Sequence, residues 1–261
     1  MKHKIFITFM IFFFLLPPAL LSIYTFSQNW PYPQLLPTSL SLHSFNYIIS
    51  QKYEILASLF SSFLYSISSV ILTLAITLLP ARIFAWRKFR GRIILESLLI
   101  TPALLPAMLF AMGAHYTFLK AGITDSFAGV VLILTTVSYP YMLRALTAGF
   151  IACGEDSAVC SRNLGAGPLR TFISVELPVI FPSIAAGGSI VFLVSFSEYF
   201  LVFLIGGGIV PSYSGYLFPF LNSSEHSISS LLTLIFLVIP MILFFSIDIL
   251  LRLYYSRRYM V

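Results

Sequence analysis

Glu198 is the side chain in this sequence with the most chemical promise, because it interrupts an otherwise apolar run, VSFSEYFLVF, at residues 194–203. A carboxylate in hydrocarbon is costly, so it pairs with another group or lines a watery path. Two readings stand: a pathway-lining acid suited to a cation, or a helix-packing hydrogen bond or a place at the outer interface. The remaining ionisable groups are scattered. Asp248 and Arg252 are four residues apart, the spacing of an intrahelical ion pair. Glu96 neighbours the basic turn at 87–92 and is expected to pair there. Arg144 is expected to extend its head toward an interface. His3, His43, His115 and His226 have no metal-ligand neighbours in the sequence, so no metal site is expected. Cys153 and Cys160, the two cysteines, are too few for a disulfide framework. The chain contains no Gly-Lys pair, hence no P-loop to cradle ATP phosphates. No catalytic residue and no cofactor held by this chain is expected, so it is not read as an enzyme.

The elements that carry these groups follow from composition. The chain has 261 residues, of which 59% are hydrophobic and 9% charged. A soluble domain has about 25% charged residues, so this chain cannot clothe itself in a water-compatible surface and is an integral membrane protein. Six apolar stretches are drawn, at about 5–26, 57–86, 93–118, 126–151, 177–205 and 228–251. Pro102, Pro106 and Pro140 fall inside them, which lipid-embedded helices tolerate when neighbours re-satisfy the freed carbonyls. No alternating strand pattern is visible, and the whole chain reads as helical. The start, MKHKIFITFMIFFFLLPPALLS, also has the charged and apolar regions of a signal peptide. Without a good small-x-small cleavage site it is read as a retained first helix. Residues 27–56, with Trp30, Pro31, Pro33, Pro37, Lys52 and Glu54, then form an external loop or surface helix.

Net charge is +6, and its distribution points to membrane orientation rather than to nucleic acid. Lys2, Lys4, Arg82, Arg87, Lys88, Arg90, Arg92, Arg144, Arg162, Arg170, Arg252, Arg257 and Arg258 fall on one side of the six spans. Lys52 and Lys120 fall on the other. The positive-inside rule places the basic side, and both termini, in the cytoplasm.

Between spans four and five the chain turns polar in a structured way, in SRNLGAGPLRTFISVELPVIFPS at 161–183. EDSAVCSRN before and into it reads as a short helix with two acids at its start, where they suit the helix dipole. Gly165 and Gly167 break it, and Pro168 can begin a second short helix. On that helix Leu169, Phe172 and Ile173 make an apolar face. A helix–turn–helix presented with apolar residues showing implies a protein partner. An ordinary loop whose apolar face packs on its own spans is the alternative.

This segment resembles the "EAA" loop of binding-protein-dependent ABC transporter permeases. The family pattern is Glu-Ala-Ala, three residues, Gly, nine residues, Ile, one residue, Leu-Pro. Here Gly165 is followed at the same interval by Val175, then Leu177 and Pro178. Leu164, Gly165 and Ala166, with Thr171 and Phe172, match common flanks. Val159, Cys160 and Ser161 stand where the family has Glu-Ala-Ala. RGRIILESLLITPALLPAMLFAMG and YPYMLRALTAGF resemble the third span and the run before the loop. The likeness covers about residues 57–250. It implies an all-α membrane protein of six helices with a coupling helix–turn–helix between spans four and five. It divides the chain into a first helix and external loop (1–56), a permease domain (57–252) and a tail (253–261). The coupling residues it implies are Val159, Cys160, Ser161, Leu164, Gly165, Ala166, Leu169, Phe172, Val175, Leu177 and Pro178. The run Ser195, Glu198, Tyr199 resembles the Ser-x-x-[Asp/Glu]-[Phe/Tyr] of permeases for polyamines, iron(III) and thiamine, and implies that these three line the path.

The resemblance also supplies what the chain lacks. It implies ATPase subunits that bind ATP and receive the loop, a second permease subunit, and an external solute-binding protein. With membrane lipid around it, the assembly is expected in a bacterial inner membrane. A secondary transporter would more often show inverted repeats, and a membrane-embedded enzyme would need clustered polar groups; these two remain the alternatives.

Overall fold

A computed structural model describes residues 2–30, 34, 37 and 39–259. The first helix, α1 (Lys2–Thr25), leads into two short antiparallel strands, β1 (Ser27–Asn29) and β2 (Ser39–Leu40), and then α2 (His43–Ser50). This small ribbon is not visible as an alternating pattern, because each strand is only two or three residues long. Pro31 and Pro33 lie outside the described residues. Next come α3 (Lys52–Trp86), α4 (Arg92–Ile100), a single 3-10 turn (Thr101–Ala103), α5 (Ala107–Ala121) and α6 (Phe127–Cys153). The chain closes with α7 (Glu155–Asn163), α8 (Pro168–Thr171), a π-turn (Phe172–Glu176), α9 (Leu177–Ser197), α10 (Phe200–Gly206), α11 (Tyr213–Leu221) and α12 (His226–Tyr259).

Five helical segments are long and apolar enough to cross a membrane: Phe6–Thr25, Lys52–Trp86, Phe127–Cys153, Pro168–Ser197 and His226–Leu253. The sixth expected span, 93–118, is not one straight helix. Arg92–Ala103 and Met108–Ala121 meet at 96°, and only together do they make a span. The sequence there is TPALLP. Pro102 and Pro106 remove backbone donors, and each disfavours helical geometry in the residue before it. The expected fifth span, 177–205, breaks earlier than composition suggested. At Glu198 the backbone turns extended (φ −74°, ψ 115°), so α9 ends at Ser197 and the apolar residues 200–206 form a separate helix.

The core is built by α3, α6 and α9. Down α3 run Ser58, Ser62, Ser66, Ser69, Thr73 and Thr77, all buried. Their spacing of three and four residues puts them on one face. The other faces carry Phe60, Ile71 and Leu79, each more than 60% exposed. This inverts the pattern of a soluble helix, as hydrocarbon solvent requires: small hydroxyl residues face protein and large apolar ones face lipid. Thr73 and Thr77 donate to the carbonyls of Ser69 (2.6 Å) and Thr73 (2.5 Å) one turn back, so these hydroxyls enter the bundle already partnered. Close approach is secured at Gly149 of α6, where an added Cβ would lie 2.5 Å from Ser183 Oγ. At Gly187 of α9 it would lie 2.9 Å from Met142 Sδ. The AAGGS patch at 185–189 therefore serves helix packing. Around it, Met142, Leu146, Phe150 and Ile180 form one buried cluster, and Phe192, Phe196, Tyr213 and Leu232 another.

Candidate functional site: the loop between α6 and α9

The polar segment begins where α6 ends. Gly154 takes φ 72°, reversing the chain directly into α7. This helix spans EDSAVCSRN, with Glu155 and Asp156 in its first turn and Arg162 in its last, the arrangement that suits the dipole at both ends. Gly165 takes φ 85°, a left-handed conformation that a side chain resists, and its N–H donates to Arg162 O at 2.9 Å. Pro168 opens α8 as the residue needing no N–H. The expected second short helix is not a separate unit. α8 runs through the π-turn into α9, so the loop's second half is continuous with the helical segment Pro168–Ser197.

Two faces of this loop differ in chemistry. Inward point Ala158, Thr171 and Glu176, all nearly inaccessible, and Ser161 Oγ meets Thr171 Oγ1 at 3.3 Å, joining the two halves. Phe172 packs against the buried cluster of α3 and α6. Outward point Val159 (40% exposed), Leu164 (88%), Leu169 (70%) and Ile173 (53%). Cys160 is exposed as well. Ala166 is half-buried in the turn between α7 and α8, and Val175, Leu177 and Pro178 are half-buried where the loop passes into α9.

The loop is fastened to the end of α3 by charge. Arg82 Nη2 donates to Glu176 Oε1 at 2.5 Å, and the glutamate is wholly buried. The Arg82 guanidinium also lies 4.8 Å over the Trp86 ring, a favourable site for a desolvated cation. Trp86 Nε1 donates to Phe150 O at 2.8 Å, holding the ring against α6. One turn further, Arg87 Nη2 and Glu155 Oε1 lie 3.3 Å apart. Arg82, Arg87, Glu155 and Glu176 thus join three elements at one end of the bundle; sequence reasoning placed Glu155 only at the start of the loop's first helix and gave none of the four a pairing partner. The available signal was Glu176 inside the run FISVELPVIF and Arg82 inside LLPARIFAW: two lone opposite charges, each in an apolar stretch.

The second expected group, Ser195, Glu198 and Tyr199, lies at the opposite end of α9, about 30 Å away at 1.5 Å per residue. Here the structure gives Glu198 a local task. Its Oε1 accepts the Leu201 N–H at 3.2 Å, capping α10, and its carbonyl accepts Ser214 Oγ–H at 3.1 Å. The Tyr199 ring stacks on Phe218 at 4.1 Å. Ser195 Oγ is buried and has no hydrogen-bond partner among the described residues. The three are neighbours in the chain but do not converge on one point: Tyr199 turns toward α11 while Ser195 stays in the core.

Elsewhere, Asp248 and Arg252 pair at 2.8 Å as their spacing predicts. Glu96 makes no ion pair with the basic turn among the described residues, contrary to the sequence expectation; of that turn, Arg87 pairs instead with Glu155.

Comparison with known proteins agrees with this architecture. The family described as binding-protein-dependent transport system inner membrane component matches residues 73–258. The molybdate/tungstate transport system permease protein WtpB of Pyrococcus abyssi is 29% identical over 144 residues, 55% of this chain and 58% of the relative. The sulfate transport system permease protein CysT of Salmonella typhimurium is 27% identical over 186 residues, 66% of this chain and 67% of the relative. The chain spans about half the length of the first curated relatives it matches. Among solved structures, a bacterial ABC transporter involved in import of the acidic polysaccharide alginate superimposes with a TM-score of 0.73. That match covers 100% of this chain and 95% of the other, at 15% identity, and speaks to the fold. By the extent of the family match, the chain is a member of the binding-protein-dependent transport system inner membrane components, a multi-pass membrane protein built on the permease fold.

Proposed function

We propose that this chain is the permease subunit of an ABC importer, and that the loop between α6 and α9 is the surface on which a separate ATPase subunit pushes. The carrying observation is the outward row of Val159, Leu164, Leu169 and Ile173 at the arginine-rich end of the bundle, on a loop ion-paired to α3 and continuous with α9. Val159 and Leu164 precede the segment Pro168–Ser197, Leu169 and Ile173 lie in its first two turns, and exposed apolar side chains clustered at such an end mark a protein interaction surface. A loop continuous with α9 and pinned to α3 converts displacement of the protein docked there into movement of two core helices. In this reading the basic end faces the cytoplasm, ATP is bound by the partner, a second permease subunit completes the path, and an external binding protein delivers the solute. Residence in a bacterial inner membrane follows from the same reading.

For the solute, the relatives named for molybdate, tungstate and sulfate favour a small tetrahedral oxyanion. A cation such as a polyamine, iron(III) or thiamine draws its support from Glu198, whose carboxylate is engaged in capping α10. The test is uptake into proteoliposomes holding the permease, its ATPase and its binding protein. Labelled molybdate and sulfate are compared with putrescine, ferric ion and thiamine. ATP-dependent oxyanion uptake is the expected result. Uptake of a cation alone overturns the oxyanion reading, and failure of the permease to co-purify with any ATPase overturns the importer reading.

A further inference from the structure

Beside the ion pair that pins the loop lies a half-open cavity of about 170 Å³ lined by Arg82, Ile83, Trp86, Arg87, Glu155 and Arg162. Its walls follow from helix spacing. Residues 82, 83 and 86 share one face of the last turn of α3, Arg87 follows directly in extended backbone, and residues 155 and 162, seven apart, share one face of α7. Three guanidinium groups line the cavity against one carboxylate, and the neighbouring Glu176 binds Arg82 through Oε1, its buried Oε2 having no hydrogen-bond partner among the described residues. The positive groups are incompletely used. Arg162 donates through Nε to Ala158 O at 3.2 Å and, among the described residues, has no carboxylate within 4 Å. Arg82 binds Glu176 through Nη2 alone, and its buried Nε has no partner among the described residues. Guanidinium forks are matched in geometry and charge to tetrahedral oxyanions.

We propose that this cavity is an oxyanion site, taking a phosphate-like group between the end of α3 and α7. A ligand held by Arg87 and Arg162 would bridge a core helix to the loop helix, so its occupancy sets how firmly the two are joined. The same chemistry comes from two sources, the phosphate of an anionic lipid at the membrane surface or a free inorganic oxyanion.

Trp86 lines the cavity, and Trp30 is the chain's other tryptophan, so the full chain with Trp30→Phe carries its own reporter. In uncharged detergent it is titrated with sodium phosphate at constant ionic strength. In a second arm it is placed in nanodiscs of phosphatidylcholine alone or mixed with phosphatidylglycerol. A saturable change of Trp86 fluorescence with phosphate, weakened about tenfold or more in Arg162→Gln and Arg87→Gln, assigns a free oxyanion. A change found only in the phosphatidylglycerol discs and lost in the same variants assigns a lipid headgroup. Arg162→Lys, which keeps the charge but not the fork, should bind with intermediate affinity in either case. No saturable change in either arm, or one unaltered in Arg162→Gln of unchanged thermal midpoint, overturns the proposal. The readout involves no ATPase and no transport, so it stands or falls separately from the importer reading.

Discussion

Arg82 and Glu176, 94 positions apart in sequence, form an ion pair at 2.5 Å with the carboxylate entirely buried and the arginine one-third exposed. The pair joins the end of α3 to the start of α9, the two helices that flank α6 in the core. Truncating one partner leaves the other charge stranded, which costs about 3–5 kcal/mol for a fully buried pair. Exposure of Arg82 moves the expectation to the lower end. Arg82→Met should therefore lower stability by about 3 kcal/mol, read as denaturant unfolding of the solubilised chain. Replacing both charges by Met should recover most of the loss. If the single and double variants are equally unstable, Arg82 acts through its Trp86 contact rather than through charge.

The outward apolar residues allow a different test, because Leu164 and Leu169 are left largely uncovered by the described residues. Leu164→Asp and Leu169→Asp should leave the thermal midpoint nearly unchanged, since the side chains are 88% and 70% exposed and surface changes stay within about 0.5 kcal/mol. On the importer reading, each should weaken retention of an ATPase subunit about tenfold or more, as truncated interface anchors do. Normal retention with both substitutions present would relocate the docking surface.

Much of this loop was legible beforehand, for physical reasons. Its glycines, its Leu-Pro and its charge contrast with the flanking runs are local features, and α7 occupies the very residues its composition suggests. What could not be read locally depends on partners far away in sequence. Arg82 and Glu176 each look like a misplaced charge until the fold brings them together. The end of α9 at Ser197 was hidden because residues 200–206 are as apolar as the span before them. Hydropathy records solvent preference and is silent on where the backbone turns.

The close contacts between α6 and α9 make a prediction that composition does suggest, from glycine, serine and alanine in apolar runs. Gly149→Ala would place a Cβ 2.7 Å from Ser183 Cβ, whereas at Gly188 the nearest atom is Val70 Cγ1 at 3.4 Å. Overpacking of this kind costs about 1–3 kcal/mol. Gly149→Ala should lower the thermal midpoint clearly and Gly188→Ala little. Because Ser183 presents the obstructing atoms, Ser183→Ala should soften the effect of Gly149→Ala, and strict additivity of the two would argue against direct contact.

Glu198 separates the two accounts of the C-terminal end of α9. Its carboxylate oxygen accepts the Leu201 N–H, a task that needs an oxygen acceptor and not a charge. Glu198→Gln keeps that oxygen, so the capping account predicts uptake within about twofold of the wild type and little change in stability. Glu198→Ala removes the acceptor and should cost about 1 kcal/mol, the usual loss of a helix cap. A cation path predicts the reverse order of importance. There Glu198→Gln abolishes the attraction for the solute and collapses uptake while the protein remains fully folded. Measuring uptake and thermal midpoint together on both variants therefore distinguishes a carboxylate retained for its hydrogen bond from one retained for its charge. The helix break at Glu198, with Ser214 anchoring its carbonyl, favours the first outcome.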